Sequence, residues 1–301
     1  MALVGAATSP AIARTLEVGP GLTYQSIAKA AADAHDGDRV TIAPGTYFEC
    51  AVWRASHLTI EGMGSDIDVR ITGNACMGKG LFVTTGNDIT VRKLTLEGAR
   101  VKDLNGAGIR SEGHDLTVDD VRFIDNQNGI LAAGFTDSRI WIRNSYFERN
   151  GTCEGICAHG IYIGPAGLLR VEHSTFTDTI QGHHIKSRAL QTEIISCSIS
   201  DGDQGTASYL IDIPNGGNVV IRGNTFDKGP RAESHIAAIR IGEEGLTNPT
   251  REIQVQNNMF RVSGSYHTSF VWNDTTADAV LSGNRLAGDV IPLHGPGQVQ
   301  P

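Results

Sequence analysis

From residue 57 onward the chain repeats one hydrophobic figure: an apolar residue, four variable positions, then a second apolar residue. The pair recurs as Val91/Leu96, Val118/Phe123, Ile142/Phe147, Val171/Phe176, Ile194/Ile199, Ile221/Phe226, Val255/Phe260 and Leu281/Leu286. First members lie 27, 24, 29, 23, 27, 34 and 26 residues apart. Asn, Asp or Ser often sits between the anchors, as in Arg143-Asn144-Ser145 and Gly223-Asn224-Thr225. Such residues suit a bend that needs a left-handed conformation or an Asx hydrogen bond. A second unit precedes each pair and centres in turn on Ile109, Ile130, Ile161, Ile185, Ile211, Ile239 and Val271. Small residues often come just before it, at Gly108, Gly129, Gly160 and Ala238.

Two or three short strands per repeat, at a near-constant period of about 25 residues, predict a solenoid. Parallel strands stacked coil on coil make an all-β, single-stranded right-handed parallel β-helix with coils ~4.8 Å apart. Propeller blades need longer periods, and the pattern of leucine-rich repeats is missing. Ahead of the array, Thr23 to Ala34 reads as a short capping helix, with Thr23 as cap and Ile27, Ala30, Ala31 and Ala34 on one face. Residues 37–47 read as strand, Pro-Gly turn, strand. The predicted β-helix domain spans 14–288, and the Gly/Pro/Gln-rich tail 289–301 is expected to fray.

Composition narrows the function. Glycine supplies 36 of 301 residues and charged residues only 19 %, as many turns and few surface helices require. The net charge of −8 argues against general nucleic-acid binding. No apolar run is long enough to span a membrane as a helix. Ala2-Leu3-Val4-Gly5-Ala6-Ala7 with Ala11-Ile12-Ala13 ahead of Arg14 fits the remnant of a signal peptide over residues 1–13. In a secreted or periplasmic protein Cys50–Cys76 and Cys153–Cys157 are expected to pair, leaving Cys197 over.

Gly37-Asp38-Arg39-Val40 leading to Pro44-Gly45-Thr46-Tyr47, then the stacked V-x4-F units, resembles the pectate-lyase-like superfamily of right-handed parallel β-helices over residues 16–288. That resemblance implies the fold. It leaves the reaction open, because the superfamily holds lyases, hydrolases, epimerases and non-enzymes.

Stacking converts repeats into spatial columns, and one column carries candidate chemistry. Residues just after the inward position run Arg110, Leu131, Tyr162, Lys186, Asp212, Arg240, Trp272. Around it lies Gly182-His183-His184-Ile185-Lys186-Ser187-Arg188, the densest ionisable run in the chain. With Ile185 inward, a period of two sends His184, Lys186 and Arg188 outward together. His159 and His183 face outward only if their strands begin with a bend.

Elimination from a uronic acid needs a cation to neutralise the carboxylate, a base for the proton at C5 and an acid for the leaving oxygen. Lys186 with a pKa depressed by nearby cations is the expected base. Arg188 and Arg240 are expected carboxylate clamps, and Tyr162 or His184 the acid. His159, His183, Tyr209, Glu243 and Trp272 are expected to bind substrate, and Asp212 belongs to the catalytic set, either orienting Lys186 or serving as general acid or metal ligand. Ile185-Lys186-Ser187, with Thr192-Glu193-Ile194-Ile195-Ser196 after it, is similar to the Lys-Ser region of alginate-lyase and chondroitinase-B-like enzymes. This likeness implies lysine as base and an arginine one coil later, where this chain has Asp212. The expected partner is an acidic polysaccharide or oligosaccharide met by a monomer. No cofactor is required, although Asp212 offers a ligand for calcium. Two other readings stay open. One is a glycoside hydrolase using Asp212 with Glu243 or Glu244, and the other a non-catalytic β-helix with Tyr162 and Trp272 as sugar platforms.

Overall fold

The computed structural model describes residues 13–301. The signal-peptide remnant expected at 1–13 lies almost wholly outside the described residues. The chain winds into a parallel β-helix. Its strands stack into a 20-stranded and a 10-stranded sheet, with a small antiparallel hairpin, Thr152–Glu154 with Ile156–Ala158, set apart.

All three predicted ladders form in register. The first anchors pair as Val91, Val118, Ile142, Val171, Ile194, Ile221, Val255 and Leu281. The second run from Leu96 through Phe123, Phe147, Phe176, Ile199, Phe226 and Phe260 to Leu286. Phe123, Phe147 and Phe176 stack face to face, with centroids 4.6 and 4.4 Å apart. The third ladder runs from Phe82 through Ile109 to Val271 and on to Leu293. These columns are the core, dry and almost wholly buried. Burying them is the main favourable term in folding, at ~25 cal/mol per Å² of apolar surface.

The bend between the first two anchors repeats without exception. Lys93, Asp120, Asn144, His173, Ser196, Gly223, Asn257 and Gly283 each have positive φ, between 47 and 68°. The next residue turns inward. At five of these bends its amide donates to a side chain of the following coil. Val121 N donates to Ser145 Oγ, Ser145 N to Ser174 Oγ, Cys197 N to Asn224 Oδ1 and Asn224 N to Asn258 Oδ1. Asn258 N donates to Asn284 Oδ1 in the same way. The Asn side chains also bond to one another at 2.9 Å.

Four local expectations are revised or settled. The helix is Ile27–Asp33, starting later than expected, with Ser26 rather than Thr23 as cap. Tyr24 is drawn into a bridge with Val18, and Glu49 accepts the first helical amides, Ile27 N at 2.9 Å and Ala28 N at 3.2 Å. The tail does not fray. Val290–His294 and Gly297–Gln300 add a further turn, with Leu293 beneath Val271 and Val299 beneath Leu281. Gly295 and Pro296 form the corner between the two strands, while Pro292 and Gly297 lie within them. Both expected disulfides are present, and Cys197 is free and buried.

Replacing Asn258 by Ala leaves the buried Asn224 backbone amide without its acceptor, while the Asn224 side chain keeps Ile194 O. Asn258→Ala is expected to lower stability by about 1–3 kcal/mol, read as a drop in melting temperature. An unchanged melting curve would show that the bends do not depend on the ladder.

Candidate active site

The outward column expected from the repeat exists. On the 10-stranded sheet Leu131, Tyr162, Lys186, Asp212, Arg240, Trp272 and His294 are successive register partners. Each follows a buried aliphatic residue, so the alternation of the strand turns it outward.

At the centre, Lys186 is only 7 % exposed. Its Nζ lies 2.8 Å from Asp212 Oδ2 and 2.6 Å from Glu244 Oε1. Arg188 sits just past the strand His183–Ser187. Its Nε donates to the Tyr162 hydroxyl at 2.9 Å, and its terminal nitrogens reach Asn215 Oδ1 and Glu244 Oε2. Tyr162 thus has two cations beside its ring, Lys186 Nζ at 6.0 Å and Arg188 Cζ at 5.6 Å from the centroid.

The charge state of Lys186 overturns one expectation. Burial disfavours its ammonium, yet Asp212 and Glu244 outweigh that and hold the pKa above the ordinary lysine value. Lys186 is therefore charged at rest, because its close neighbours are carboxylates and not the cations foreseen. At Asp212 the balance tips the other way. Burial pushes its carboxyl up to about 6 against the pull of Lys186, and the Glu244 and Glu243 charges add to the rise. The amine has two carboxylates to set against its burial, while Asp212 has one ammonium, which does not offset the cost of burying its carboxylate. Asp212 Oδ1 is buried and unpartnered among the described residues.

Beside this cluster His159, His183 and Tyr209 stack on three successive coils, with centroids 4.9 and 5.1 Å apart. His159 Nδ1 accepts the His183 amide and His183 Nδ1 accepts the Tyr209 amide. A neutral imidazole so used carries its proton on Nε2, and His183 Nε2 lies 3.4 Å from Asp212 Oδ2. Burial, then Lys186 and Arg188, lower the His159 pKa to about 3. Burial likewise holds His183 well below the usual value. The Tyr209 hydroxyl donates to Glu243 at 3.2 Å.

His184 does not join the site. It was expected outward beside Lys186, but it is fully buried. Its Nε2 is 2.8 Å from Asp201 Oδ1 and its Nδ1 is 2.8 Å from Thr179 Oγ1. The chain enters the strand through Gly182 at φ +66°, so His183 takes the outward slot while His184 and Ile185 both face in. The same position in earlier coils is Gly108 and Gly129, where a Cβ would lie 2.8 Å from the rings of Phe123 and Phe147. An inward column therefore passes through His184, and an acid role for it is excluded by burial.

Arg240 and Trp272 lie on the same face two and three coils past Lys186 and do not meet it. Arg240 pairs with Asp274 at 2.7 Å and lies 4.6 Å over the Trp272 ring, which also stacks on His294. Glu244 carries the largest surprise. It was weighed only as a hydrolase carboxylate, yet it bridges both central cations. The Glu-Glu pair between Gly242 and Gly245, one coil after Asp212, was the available signal. Asn215 was missed, and nothing in its local sequence marks it. A calcium ion at Asp212 would share that carboxylate with the Lys186 ammonium, which like charges resist. Among the described residues no three His, Cys, Asp or Glu side chains gather as a metal site.

The site is thus a part-buried cationic pair, a phenol and carboxylates on one sheet face of a parallel β-helix. The chain belongs to the family described as right handed beta helix region, whose profile matches residues 45–199 and 79–289. Among solved structures it is similar to an alginate lyase from Paenibacillus sp. str. FPU-7, with TM-score 0.68 and 20 % identity over 96 % of this chain and 99 % of that one. An alginate lyase of the PL6 family aligns with TM-score 0.47 and 16 % identity, over 99 % of this chain and 41 % of that one. A pectin methylesterase from Aspergillus niger gives 0.47 and 12 %, over 97 % and 93 %. No curated protein matches. At 20 % identity the likeness to the Paenibacillus enzyme shows the fold alone.

The buried histidines make a signed prediction. A His159 pKa near 3, against an ordinary 6.5, contributes stability that is present above pH 6.5 and lost as pH falls toward 3. Asp212 runs oppositely, contributing at low pH and losing that contribution as pH rises through about 6. The difference between wild type and His159→Gln isolates the histidine. Melting temperatures followed from pH 7 to 4 are expected to fall less in the variant, and parallel curves would refute the buried neutral ring.

Proposed function

We propose that the protein is a polysaccharide lyase, working outside the cytoplasm, that cleaves a uronate-containing polysaccharide by β-elimination. The observation that carries this reading is the Tyr162 hydroxyl held by Arg188 Nε at 2.9 Å, with the Lys186 ammonium on the adjacent coil. The two disulfides suit an oxidising compartment. Among the described residues no helix is long and apolar enough to cross a membrane.

In this reading Lys186 and Arg188 neutralise the uronate carboxylate. That makes the C5 proton acidic by stabilising the charge that builds on the carboxylate as it leaves. The Tyr162 oxygen takes H5 and delivers a proton to the departing O4, with Arg188 offsetting charge on the phenol oxygen. The C5–H and C4–O4 bonds break, a C4=C5 double bond forms, and the tyrosine ends as it began. Lys186, charged at rest, serves as electrostatic partner in place of the base role first assigned to it. His183 and Asp212 hold its position, while Arg240 and Trp272 offer more distant contacts to a long polymer.

Incubation with alginate, pectate, glucuronan and glycosaminoglycans, with and without calcium, is expected to produce absorbance near ~235 nm from the unsaturated product. Tyr162→Phe removes one hydroxyl and leaves the fold in place. It is expected to reduce turnover by about 10²–10⁴-fold at unchanged circular dichroism. Reducing ends released without unsaturation would favour hydrolysis instead, and binding without turnover a non-catalytic β-helix. Lys186→Ala is the poorer probe, because it strands the buried Asp212 charge at a cost of about 3–5 kcal/mol.

A further inference from the structure

We propose that Lys186 and Arg188 together form the seat for the substrate's carboxylate, and that Glu244 fills this seat at rest as an intramolecular competitor that a uronate must displace. The inference rests on the lyase reading and adds a resting state to it. One carboxylate is clasped by two cations: Glu244 Oε1 is 2.6 Å from Lys186 Nζ, and Oε2 is 2.5 Å from Arg188 Nη2. A uronate carboxylate has the same planar pair of oxygens and meets the same donors.

The occupant is less buried than its seat. The Glu244 side chain is 43 % exposed, against 9 % for Lys186 and 20 % for Arg188. It also arrives from far away in sequence, on the turn that follows the strand Ala237–Ile241. Neither cation depends on it. With Glu244 withdrawn, Lys186 keeps Asp212, and Arg188 keeps Tyr162 and Asn215. The neighbouring Glu243 is turned to Tyr209 and does not compete for the seat.

The turn is built to hold its backbone while the side chain leaves. Glu244 N donates to Pro214 O at 2.9 Å, and Asn215 Nδ2 donates to Gly245 O at 3.1 Å. Gly242 and Gly245, at φ +93° and +101°, give the turn a shape that other residues adopt only with strain. Displacement therefore needs only rotation about the Glu244 side-chain bonds. A neutral sugar has no charge to exchange for that of Glu244, so the device favours uronates over neutral polymers.

The test uses a uronate hexasaccharide and calorimetry in a Tyr162→Phe background, where turnover does not obscure binding. Adding Glu244→Gln is expected to tighten binding by about tenfold, because the seat no longer has to be vacated. The matching neutral hexasaccharide should gain nothing. Glu244→Ala must reproduce the effect, which guards against a folding or amide artefact in one variant. In the active enzyme Glu244→Gln is expected to lower KM with a smaller change in kcat. Unchanged or weakened uronate binding in both variants overturns the inference, even if the wild type proves to be a lyase. Tighter uronate binding with no unsaturated product from the wild type would uphold the seat while removing the lyase reading.

Discussion

The bend between the two apolar anchors is the constraint on which the rest of this solenoid depends. In each coil a residue in the left-handed region turns the chain, and several of these are not glycine, which costs of order 1–2 kcal/mol apiece. Lys93, His173 and Ser196 are examples. The amide that follows is pulled out of the sheet ladder and would be an orphan in a dry core, at a similar penalty. At five bends a Ser or Asn side chain from the next coil accepts it, in one run from Val121 N to Ser174 Oγ and a second from Cys197 N to Asn284 Oδ1. These coils are thereby locked to the next at one angular position, and slippage by one residue would orphan the bend and turn the core ladders outward together.

That locking is what makes a site possible. Tyr162, Lys186, Asp212 and Glu244 are far apart in the chain and become neighbours only because coils stack in register. The short coil-to-coil spacing holds ionic side chains within contact distance of one another. The His159–His183–Tyr209 stack uses the same device, since each ring nitrogen that accepts an amide takes it from the coil that follows. The scaffold therefore sets tautomer and orientation before any ligand arrives.

The electrostatics of the face follow from uneven burial. Lys186, Asp212, His159 and His183 are nearly enclosed, so their charge states answer to a few close partners, while Glu244 remains half in solvent. Such a contrast makes Glu244 the group most easily exchanged for another anion. The buried pair beneath it stays put, because separating Lys186 from Asp212 would leave both without adequate solvation.

Much of this was legible in the chain itself. The V-x4-F spacing identified the coil and two core ladders, and the unit before it the third ladder and the column running from Tyr162 to Trp272, because a strand's period of two and a near-constant repeat length leave few ways to stack. The cysteine pairs were expected from the export reading, and not from the repeat. What the sequence could not decide were the features set by contacts between coils. A bend at Gly182 exchanged the places of His183 and His184. Glu49 capped a helix that local propensity would have begun earlier. A tail rich in glycine and proline became another coil because the ladder above it supplied partners for Val290–His294 and Gly297–Gln300. Lys186 is charged at rest because Asp212 and Glu244 lie against it, and their distance from it is fixed by the stacking of coils, a tertiary quantity that no local pattern encodes.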